Sequence, residues 1–181
     1  SASKGCSEII TSSYRRAFFT NNKNIKIASA RAGNVIGGAD WALDRIIPDL
    51  IRSIENNTLL KIRNPKSIRP WQHVLEPLSG YLLLGQKMGE NDTEYSSAWN
   101  FGPNEAPKPV IEVIESAKTL FSNLNYEIVI NQNNVHEASL LNLNCNKAFK
   151  QLNWSPVWNF DETISKTLTW YKNYHSKPTS A

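Results

Sequence analysis

The stretch from Arg31 to Pro48 gathers the side chains best suited to binding a ligand. It carries an amide (Asn34), two guanidinium groups (Arg31 and Arg45) and an indole (Trp41) around three glycines. Glycine has no Cβ and tolerates positive φ, so the backbone can approach a partner closely at each of them. This set suits a flat, anionic ligand that carries many hydroxyl groups. An ordinary solvated turn between a strand and a helix is the alternative.

Three arginines are placed where they could bind one anion together. Arg45 precedes a predicted helix, and Arg63 and Arg69 fall at the ends of predicted short strands. Guanidinium groups in such positions can converge as bidentate donors on a phosphate or a carboxylate. For each arginine taken singly, an ordinary surface position in a loop is the commoner case. Trp71 and His73 come shortly after Arg69, and packing in the core is the commoner role for both.

The spacing of apolar residues predicts the elements that position these side chains. Short strands alternate with helices along the chain, which is typical of the α/β or α+β classes. The glycine-rich loop should follow a buried strand, at the strand end where α/β sheets place their ligands. We predict helices over 1–20, 49–55, 78–88, 110–121, 144–152 and from 160 onward, and strands over 25–30, 59–63, 68–77, 98–101, 126–130 and 140–143.

Length and composition describe a chain that can build a hydrophobic core. Its 181 residues are 40% hydrophobic and 20% charged, which excludes an intrinsically disordered chain. No apolar run reaches the roughly 20 residues of a membrane span, and no secretory leader opens the sequence. We therefore expect a cytoplasmic protein without a membrane partner. Two widely separated cysteines predict reduced thiols and no metal site.

The net charge of +4 raises the question of a nucleic-acid partner. The basic residues are scattered, and neither a basic run nor an aromatic RNA-binding pattern is present, so nucleic acid is not expected. A few arginines that bind a phosphorylated small molecule explain the charge better. The chain also lacks a G-x-G-x-x-G dinucleotide fingerprint, a P-loop, a G-x-S-x-G elbow and an H-E-x-x-H motif.

Several blocks, taken in order, resemble the carboxyl-terminal half of the extended short-chain dehydrogenases/reductases. The block R-A-G-N-V-I-G-G-x-D-W begins at Arg31, and I-R-P-W-Q-H-V-L-E-P-L-S-G-Y-L begins at Ile68. Both resemble the CDP-glucose 4,6-dehydratases, whereas related sugar-nucleotide dehydratases tend to carry R-D-W-x-Y-V at the second. The resemblance covers nearly the whole chain. It implies a Rossmann-type α/β fold with a small α/β substrate-binding lobe.

The resemblance also implies what this chain lacks. Ser1-Ala2-Ser3-Lys4 matches the family signature Tyr-x-x-x-Lys without its tyrosine, and in the family the glycine fingerprint for NAD lies upstream of that tyrosine. We therefore expect a fragment that is inactive by itself and does not hold NAD. Residues 1–33 would be a remnant of the Rossmann domain, and residues 34–181 mainly the sugar-nucleotide-binding lobe with some returning Rossmann elements. The family also implies a homo-oligomer formed through the first helix.

For the intact enzyme the resemblance implies an NAD-dependent conversion of CDP-D-glucose to CDP-4-keto-6-deoxy-D-glucose, in deoxysugar synthesis for lipopolysaccharide O-antigen. Lys4 would be the catalytic lysine that also binds the nicotinamide ribose, and Arg31 a second cofactor-binding residue. The matching substrate-binding positions are Asn34, Arg45, Ile46, Ile47, Arg63, Arg69, Asn100 and His136. A dTDP-glucose or GDP-mannose dehydratase, an epimerase, and a stand-alone nucleotide-sugar binding module are the alternatives.

Overall fold

Helices and strands alternate along the chain in the computed structural model, which describes residues 2–22, 24–90, 93–129 and 140–176. The helices are α1 (Ala2–Tyr14), continued by a π-helical turn (Arg15–Phe19), α2 (Ile46–Glu55), α3 (Leu75–Gly89), α4 (Val110–Leu120), α5 (Asn146–Gln151) and α6 (Phe160–Ser176), with a 3-10 turn at Thr93–Tyr95. The strands are β1 (Ser29–Ala32), β2 (Asn34–Ile36), β3 (Leu60–Ile62), β4 (Ile68–Arg69), β5 (Trp71–His73), β6 (Ala98–Phe101), β7 (Lys108–Pro109) and β8 (Tyr126–Ile128).

Three strand pairs are parallel and one is antiparallel. β1 pairs with β6, β2 with β5, and β3 with β8, all in parallel. β4 runs antiparallel to β7. Parallel partners need a long crossover, and helices lie between the paired strands along the chain. Residues that are far apart in the sequence thereby come to line one cleft, which is described below.

Two hydrophobic clusters hold the elements together. The larger one packs α2, α4 and α6 against β2, β3 and β5. On α6 the predicted face of Ile164, Leu168 and Tyr171 is buried in it, as the helical spacing of these residues requires. The smaller cluster joins α3, β6 and α5 around Trp99 and Phe101. In the part of the chain that the structure describes, no helix is both long and apolar enough to cross a membrane.

The predicted α/β alternation is confirmed, and several boundaries shift. The strand predicted over 25–30 begins only at Ser29, because the backbone first meets β6 there. The helices predicted from 49 and 78 begin at Ile46 and Leu75. The strand predicted over 140–143 is wrong: Leu140 makes one isolated bridge to Ile68. The end of the strand predicted over 126–130, the loop after it and the chain from 177 onward lie outside the described residues.

Candidate functional site

A cleft of about 890 Å³ opens beside β2, β4 and the start of α2. Sites for small molecules occupy about 300–1,000 Å³, so the cleft has room for a sizeable ligand. Five cations, three carboxylates, two amides and several apolar residues line it: Lys4, Gly33, Asn34, Val35, Ile36, Gly37, Asp40, Asp44, Arg45, Ile46, Ile47, Pro48, Asp49, Lys61, Ile62, Arg63, Asn64, Ser67, Arg69, Trp71 and Val110.

The structure brings seven of the ten predicted site residues to this cleft. They come from α1, β2, the start of α2, and the region of β3 and β4: Lys4, Asn34, Arg45, Ile46, Ile47, Arg63 and Arg69. Lys4 reaches it because α1 is tied to β1, where Ser29 donates a hydrogen bond to Glu8 (2.7 Å). Arg31 and Asn100 are not among the lining residues. His136 lies outside the described residues.

Arg31 and Asn100 are neighbours on a different pair of strands. β1 and β6 place them opposite each other in register, whereas the cleft lies beside β2. The Arg31 Nε atom lies 3.4 Å from a carboxylate oxygen of Glu8. The Asn100 side chain donates a hydrogen bond to the Asn144 carbonyl (3.1 Å). Strand pairing therefore separates these two residues from the other predicted site residues.

The first side of the cleft consists of Asn34, Arg69 and Trp71, which we call the strand wall. The Asn34 N–H donates to the Pro70 carbonyl (3.0 Å), and β2 sets Asn34 opposite Trp71 on β5. Trp71 is buried, and its Nε1 donates to the Lys108 carbonyl (3.0 Å). Arg69 is only 4% exposed and donates to the preceding carbonyl (2.9 Å). Backbone pairing and burial thus fix this wall.

The second side consists of residues 37–45, which we call the cleft loop, together with Arg63; we call this side the loop wall. Arg45 pairs with Asp40, and Arg63 with Asp44, each at 2.9 Å. The side chains of both arginines are more than half exposed. Exposed ion pairs contribute about 0–1 kcal/mol, so an incoming anion can replace either carboxylate at small cost.

Asp40 stays ionised because its hydrogen bonds outweigh its burial. Burial alone would raise the pKa of this carboxyl group. The Ala42 N–H, which donates to Asp40 (3.0 Å), and the nearby Arg45 guanidinium lower the pKa below its ordinary value. Asp40 is therefore a permanent anion at neutral pH and orients Arg45.

Cations outnumber carboxylates in the cleft. The third carboxylate, Asp49, is paired with Arg52, one turn further along α2. Every carboxylate of the lining therefore has an arginine partner. Since Lys4, Lys61 and Arg69 add further positive charge to the same cleft, its field favours an anionic ligand.

The glycines of the cleft loop region serve internal packing. A Cβ added at Gly33 would lie 2.7 Å from the Pro70 carbonyl oxygen, and one at Gly37 would lie 2.7 Å from Val74. None of the described glycines has positive φ; that conformation falls on Ala39 and Asp44 in the loop. Protein atoms therefore occupy the place where a Cβ would stand at Gly33 and Gly37, and both glycines also line the cleft.

Trp41 was expected among the ligand-binding side chains, and it does not line the cleft. Its ring packs against Tyr171, with ring centres 5.3 Å apart, and also against Tyr174 and His175. The indole therefore joins the cleft loop to α6. Sequence spacing could not show this contact, because the partners are more than a hundred positions apart in the sequence.

Asp40, Asp44 and Lys61 line the cleft and were not among the predicted site residues. Lys61 is an exposed residue between the buried Leu60 and Ile62 on β3. This alternation was a usable signal, because a strand of this kind turns its middle side chain to the opposite face. No local pattern pointed to Asp44, since its partner Arg63 is 19 positions away.

His73 and Trp71 are buried, as predicted. The Leu75 N–H donates to the His73 Nδ1 atom (3.3 Å), and the ring meets Trp158 edge to face. Burial lowers the pKa of His73; the charge of nearby Glu76 opposes this shift. His73 is thus neutral at pH 7 and helps to hold the segment around Trp158.

Comparison with known proteins gives the following matches. No family model matches the chain. CDP-glucose 4,6-dehydratase of Salmonella typhimurium is 45% identical over 177 residues, which are 95% of this chain and 49% of that protein. dTDP-glucose 4,6-dehydratase from Bacillus anthracis, solved in complex with NAD, has a TM-score of 0.77 at 19% identity over 95% of this chain and 51% of that one.

A UDP-glucose-4-epimerase from Stenotrophomonas maltophila, solved with NAD and formylated UDP-arabinopyranose, has a TM-score of 0.76 at 14% identity over 94% of this chain and 55% of that one. The chain thus spans about half the length of the relatives it matches. The structural neighbours establish the fold, and the 45% identity establishes that the chain is homologous to the Salmonella typhimurium protein. In sequence the chain is similar to about half of a CDP-glucose 4,6-dehydratase, and it has the Rossmann-type fold that the solved dehydratase and epimerase structures share.

Proposed function

We propose that this chain contributes the substrate cleft of an NAD-dependent CDP-glucose 4,6-dehydratase. The observation that supports this is that Asn34, Arg45, Arg63 and Arg69 line one cleft in a chain 45% identical to such an enzyme. The reaction converts CDP-D-glucose to CDP-4-keto-6-deoxy-D-glucose. It releases one molecule of water and leaves the sugar as a whole neither oxidised nor reduced.

The arginines of the two walls would hold the diphosphate. Arg69 lies in the buried strand wall, where a charge-assisted hydrogen bond is strong because water is largely excluded. Arg45 and Arg63 lie in the exposed loop wall and would move from their aspartates to the phosphates. Asn34 would donate its side-chain amide to the diphosphate or the sugar. Together, one buried and two exposed guanidinium groups carry enough positive charge to neutralise the roughly two negative charges of a diphosphate.

The nucleoside would lie against the start of α2 and β3. The partly buried Ile46 offers an apolar side chain there, and Ile47, which also lines the cleft, supports it from the core. A second cavity of about 440 Å³ adjoins the cleft and shares Lys61 and Arg63 with it. Because the segment from Leu59 to Arg63 borders this cavity, we assign it the contacts that select the base.

We infer that the described residues do not form a complete NAD site by themselves. Bound NAD supplies hydride acceptance and return in reactions of this class. The sequence has no G-x-G-x-x-G fingerprint, the glycine pattern that dinucleotide-binding folds use to approach the pyrophosphate. We therefore assign NAD binding mainly to the half of such enzymes that this chain does not span. Lys4 would donate hydrogen bonds to ribose hydroxyls at the cleft, and Arg31 would contribute from β1.

The same proposal assigns the two ends of the chain to different domains. Residues 1–33 would belong to the Rossmann domain and residues 34–181 mainly to the substrate lobe, although β1 and β6 pair across that division.

Homo-oligomers would form through α1, where Ile9 and Ile10 are more than half exposed. The enzyme would act in the cytoplasm, in deoxysugar synthesis for the O-antigen, without nucleic-acid or membrane partners. Asn100 would contact the substrate from outside the cleft, and we assign a substrate contact to His136 as well.

Calorimetric titration of the 181-residue chain with CDP, UDP and dTDP tests the proposal. We expect CDP to bind most tightly and CDP-glucose to bind at least as well as CDP. Tighter binding of UDP or dTDP would indicate another dehydratase or an epimerase. Absence of binding by all three would contradict the assignment of the cleft.

A second measurement separates an enzyme from a binding module. The chain incubated with CDP-glucose and NAD should give no 4-keto sugar, because it lacks a complete NAD site. Formation of the keto sugar by the chain alone would contradict that part of the proposal.

A further inference from the structure

The cleft loop rests on α6, an element that contributes no residue to the cleft lining. A Cβ added at Gly38 would lie 2.2 Å from the Trp170 ring, so loop and helix are in direct contact. The Trp41 ring packs among Tyr171, Tyr174 and His175 of the same helix. The carboxyl-terminal helix α6 therefore supports the loop that contains Asp40 and Arg45.

The hydroxyl group of Tyr171 is the polar part of this contact. Tyr171 is fully buried, and burial raises the pKa of its hydroxyl, which keeps it protonated at every working pH. The Tyr171 hydroxyl oxygen accepts a hydrogen bond from the Asp40 N–H (3.1 Å), and the O–H group donates one to the Asp40 carbonyl (2.8 Å). The Gly37 carbonyl lies within reach at 3.3 Å. One hydroxyl group thus holds both backbone groups of one loop residue.

The contact continues from Asp40 to the cleft. The Asp40 side chain pairs with Arg45 at 2.9 Å, and its other oxygen accepts the Ala42 N–H. Arg52 supports the same loop, since its guanidinium donates to the Trp41 and Ala42 carbonyls at 3.0 and 3.1 Å. Tyr171 is thus linked through Asp40 to a cation that lines the cleft.

We propose that Tyr171 is a positioning residue of the substrate cleft, acting through Asp40 to orient the Arg45 guanidinium toward the phosphates of the ligand. The assignment of phosphates as the ligand groups rests on the proposed function. The positioning itself rests only on the contacts between α6, Asp40 and Arg45.

A double-mutant cycle with CDP binding as the readout tests the link to the ligand. Tyr171→Phe should weaken CDP binding about two- to fivefold, as expected for the loss of one net hydrogen bond. In an Arg45→Gln background it should have no further effect, because the guanidinium it orients is gone. A merely structural role would weaken binding equally in both backgrounds, and that result would overturn the proposal.

Tyr174→Phe is the matched control, because it removes a hydroxyl from the same helix and leaves the ring on Trp41. Among the residues that the structure describes, the Tyr174 hydroxyl has no hydrogen-bond partner, and the residue is 53% exposed. This variant should bind CDP like the unchanged chain. A loss equal to that of Tyr171→Phe would show that α6 tolerates no hydroxyl deletion and would contradict the specific role of Tyr171.

Two measurements without ligand keep the test independent of the proposed function. In the unchanged chain, the backbone amide of Asp40 should be protected from hydrogen exchange. In Tyr171→Phe, the pKa of the Asp40 carboxyl group should rise, as measured by NMR titration. An unprotected amide or an unmoved pKa would overturn the positioning role, even if Tyr171→Phe destabilised the fold. If both results are as expected and the unchanged chain binds no CDP, the proposed function fails and the positioning contact stands.

Discussion

The two walls of the cleft both present arginines and are built in opposite ways. Arg69 in the strand wall is almost fully buried, next to strand residues held by backbone pairing. Arg45 and Arg63 in the loop wall are more than half exposed and are held by aspartates. The same side-chain type is therefore fixed by the fold on one side and by side-chain contacts on the other.

This difference determines what a substitution should cost. In the strand wall, a changed residue disturbs buried hydrogen bonds and packing, so folding and binding should weaken together. In the loop wall, exposed ion pairs add little to stability, so binding should weaken almost alone. The substitutions below compare the two walls directly.

Arg69→Ala should have the largest effect. It removes a buried guanidinium that donates to the Ile68 carbonyl (2.9 Å), so we expect a loss of about 1.5–3 kcal/mol in CDP binding and about 1–3 kcal/mol in stability. Calorimetry and denaturant unfolding measure the two losses. Arg69→Lys, which keeps the charge and loses the planar fork, should recover part of the binding. Unchanged CDP affinity would show that Arg69 is purely structural.

Gly33→Ala should disturb the strand wall without touching a charge. The added Cβ would lie 2.7 Å from the Pro70 carbonyl oxygen, which is backbone and cannot move aside easily. We expect a loss of about 1–3 kcal/mol in the free energy of unfolding. Gly85→Ala is the control, because nothing lies within 4 Å of its added Cβ. If both variants were equally stable, the tight contact at Gly33 would be absent in solution.

Arg45→Gln should separate binding from stability in the loop wall. We expect CDP binding about fivefold weaker, while the free energy of unfolding changes by less than about 1 kcal/mol, since the Asp40 pair is exposed. Arg16→Gln, an exposed arginine that is not part of the cleft lining, should change neither quantity. A large loss of stability in Arg45→Gln would remove the distinction between the walls.

The smallest effect should be the pH dependence, which differs between His73, on the same strand as Trp71 of the strand wall, and Asp40 of the loop wall. Burial lowers the pKa of His73 on β5 from its ordinary 6.5, so the folded state binds this proton less readily than the unfolded chain. Stability should therefore decline as the pH falls below 6.5 toward the lowered value. Unfolding midpoints measured between pH 7.5 and 5 should show this slope, and His73→Phe should reduce it.

Asp40 in the cleft loop should respond only to stronger acid. Its pKa is lowered from 3.8, so its stabilising contacts persist above that value and are lost as the pH falls through the lowered pKa. Hydrogen exchange of the Ala42 amide reports this contact. Exposure of the Ala42 amide already at pH 5 would contradict the pairing of Asp40 described here.

Local sequence patterns predicted the bounds of one strand and one helix and the buried face of another helix. The strand Ala98–Phe101 was predicted at its observed bounds, and α4 was predicted to within one residue. The buried face of α6 followed from the spacing of Ile164, Leu168 and Tyr171. Boundaries that depend on a distant strand partner, such as the start of β1 at Ser29, were missed.

The sequence by itself determined the α/β class, the buried face of α6, and seven of the residues that line the cleft. Only the tertiary structure decided how these side chains are held. Arg63 meets an aspartate 19 positions away, and Tyr171 meets Asp40 across 131 positions. Periodicity reports the neighbours of a residue along one element, whereas contacts between elements depend on how the strands pair and the helices pack, which no local spacing encodes.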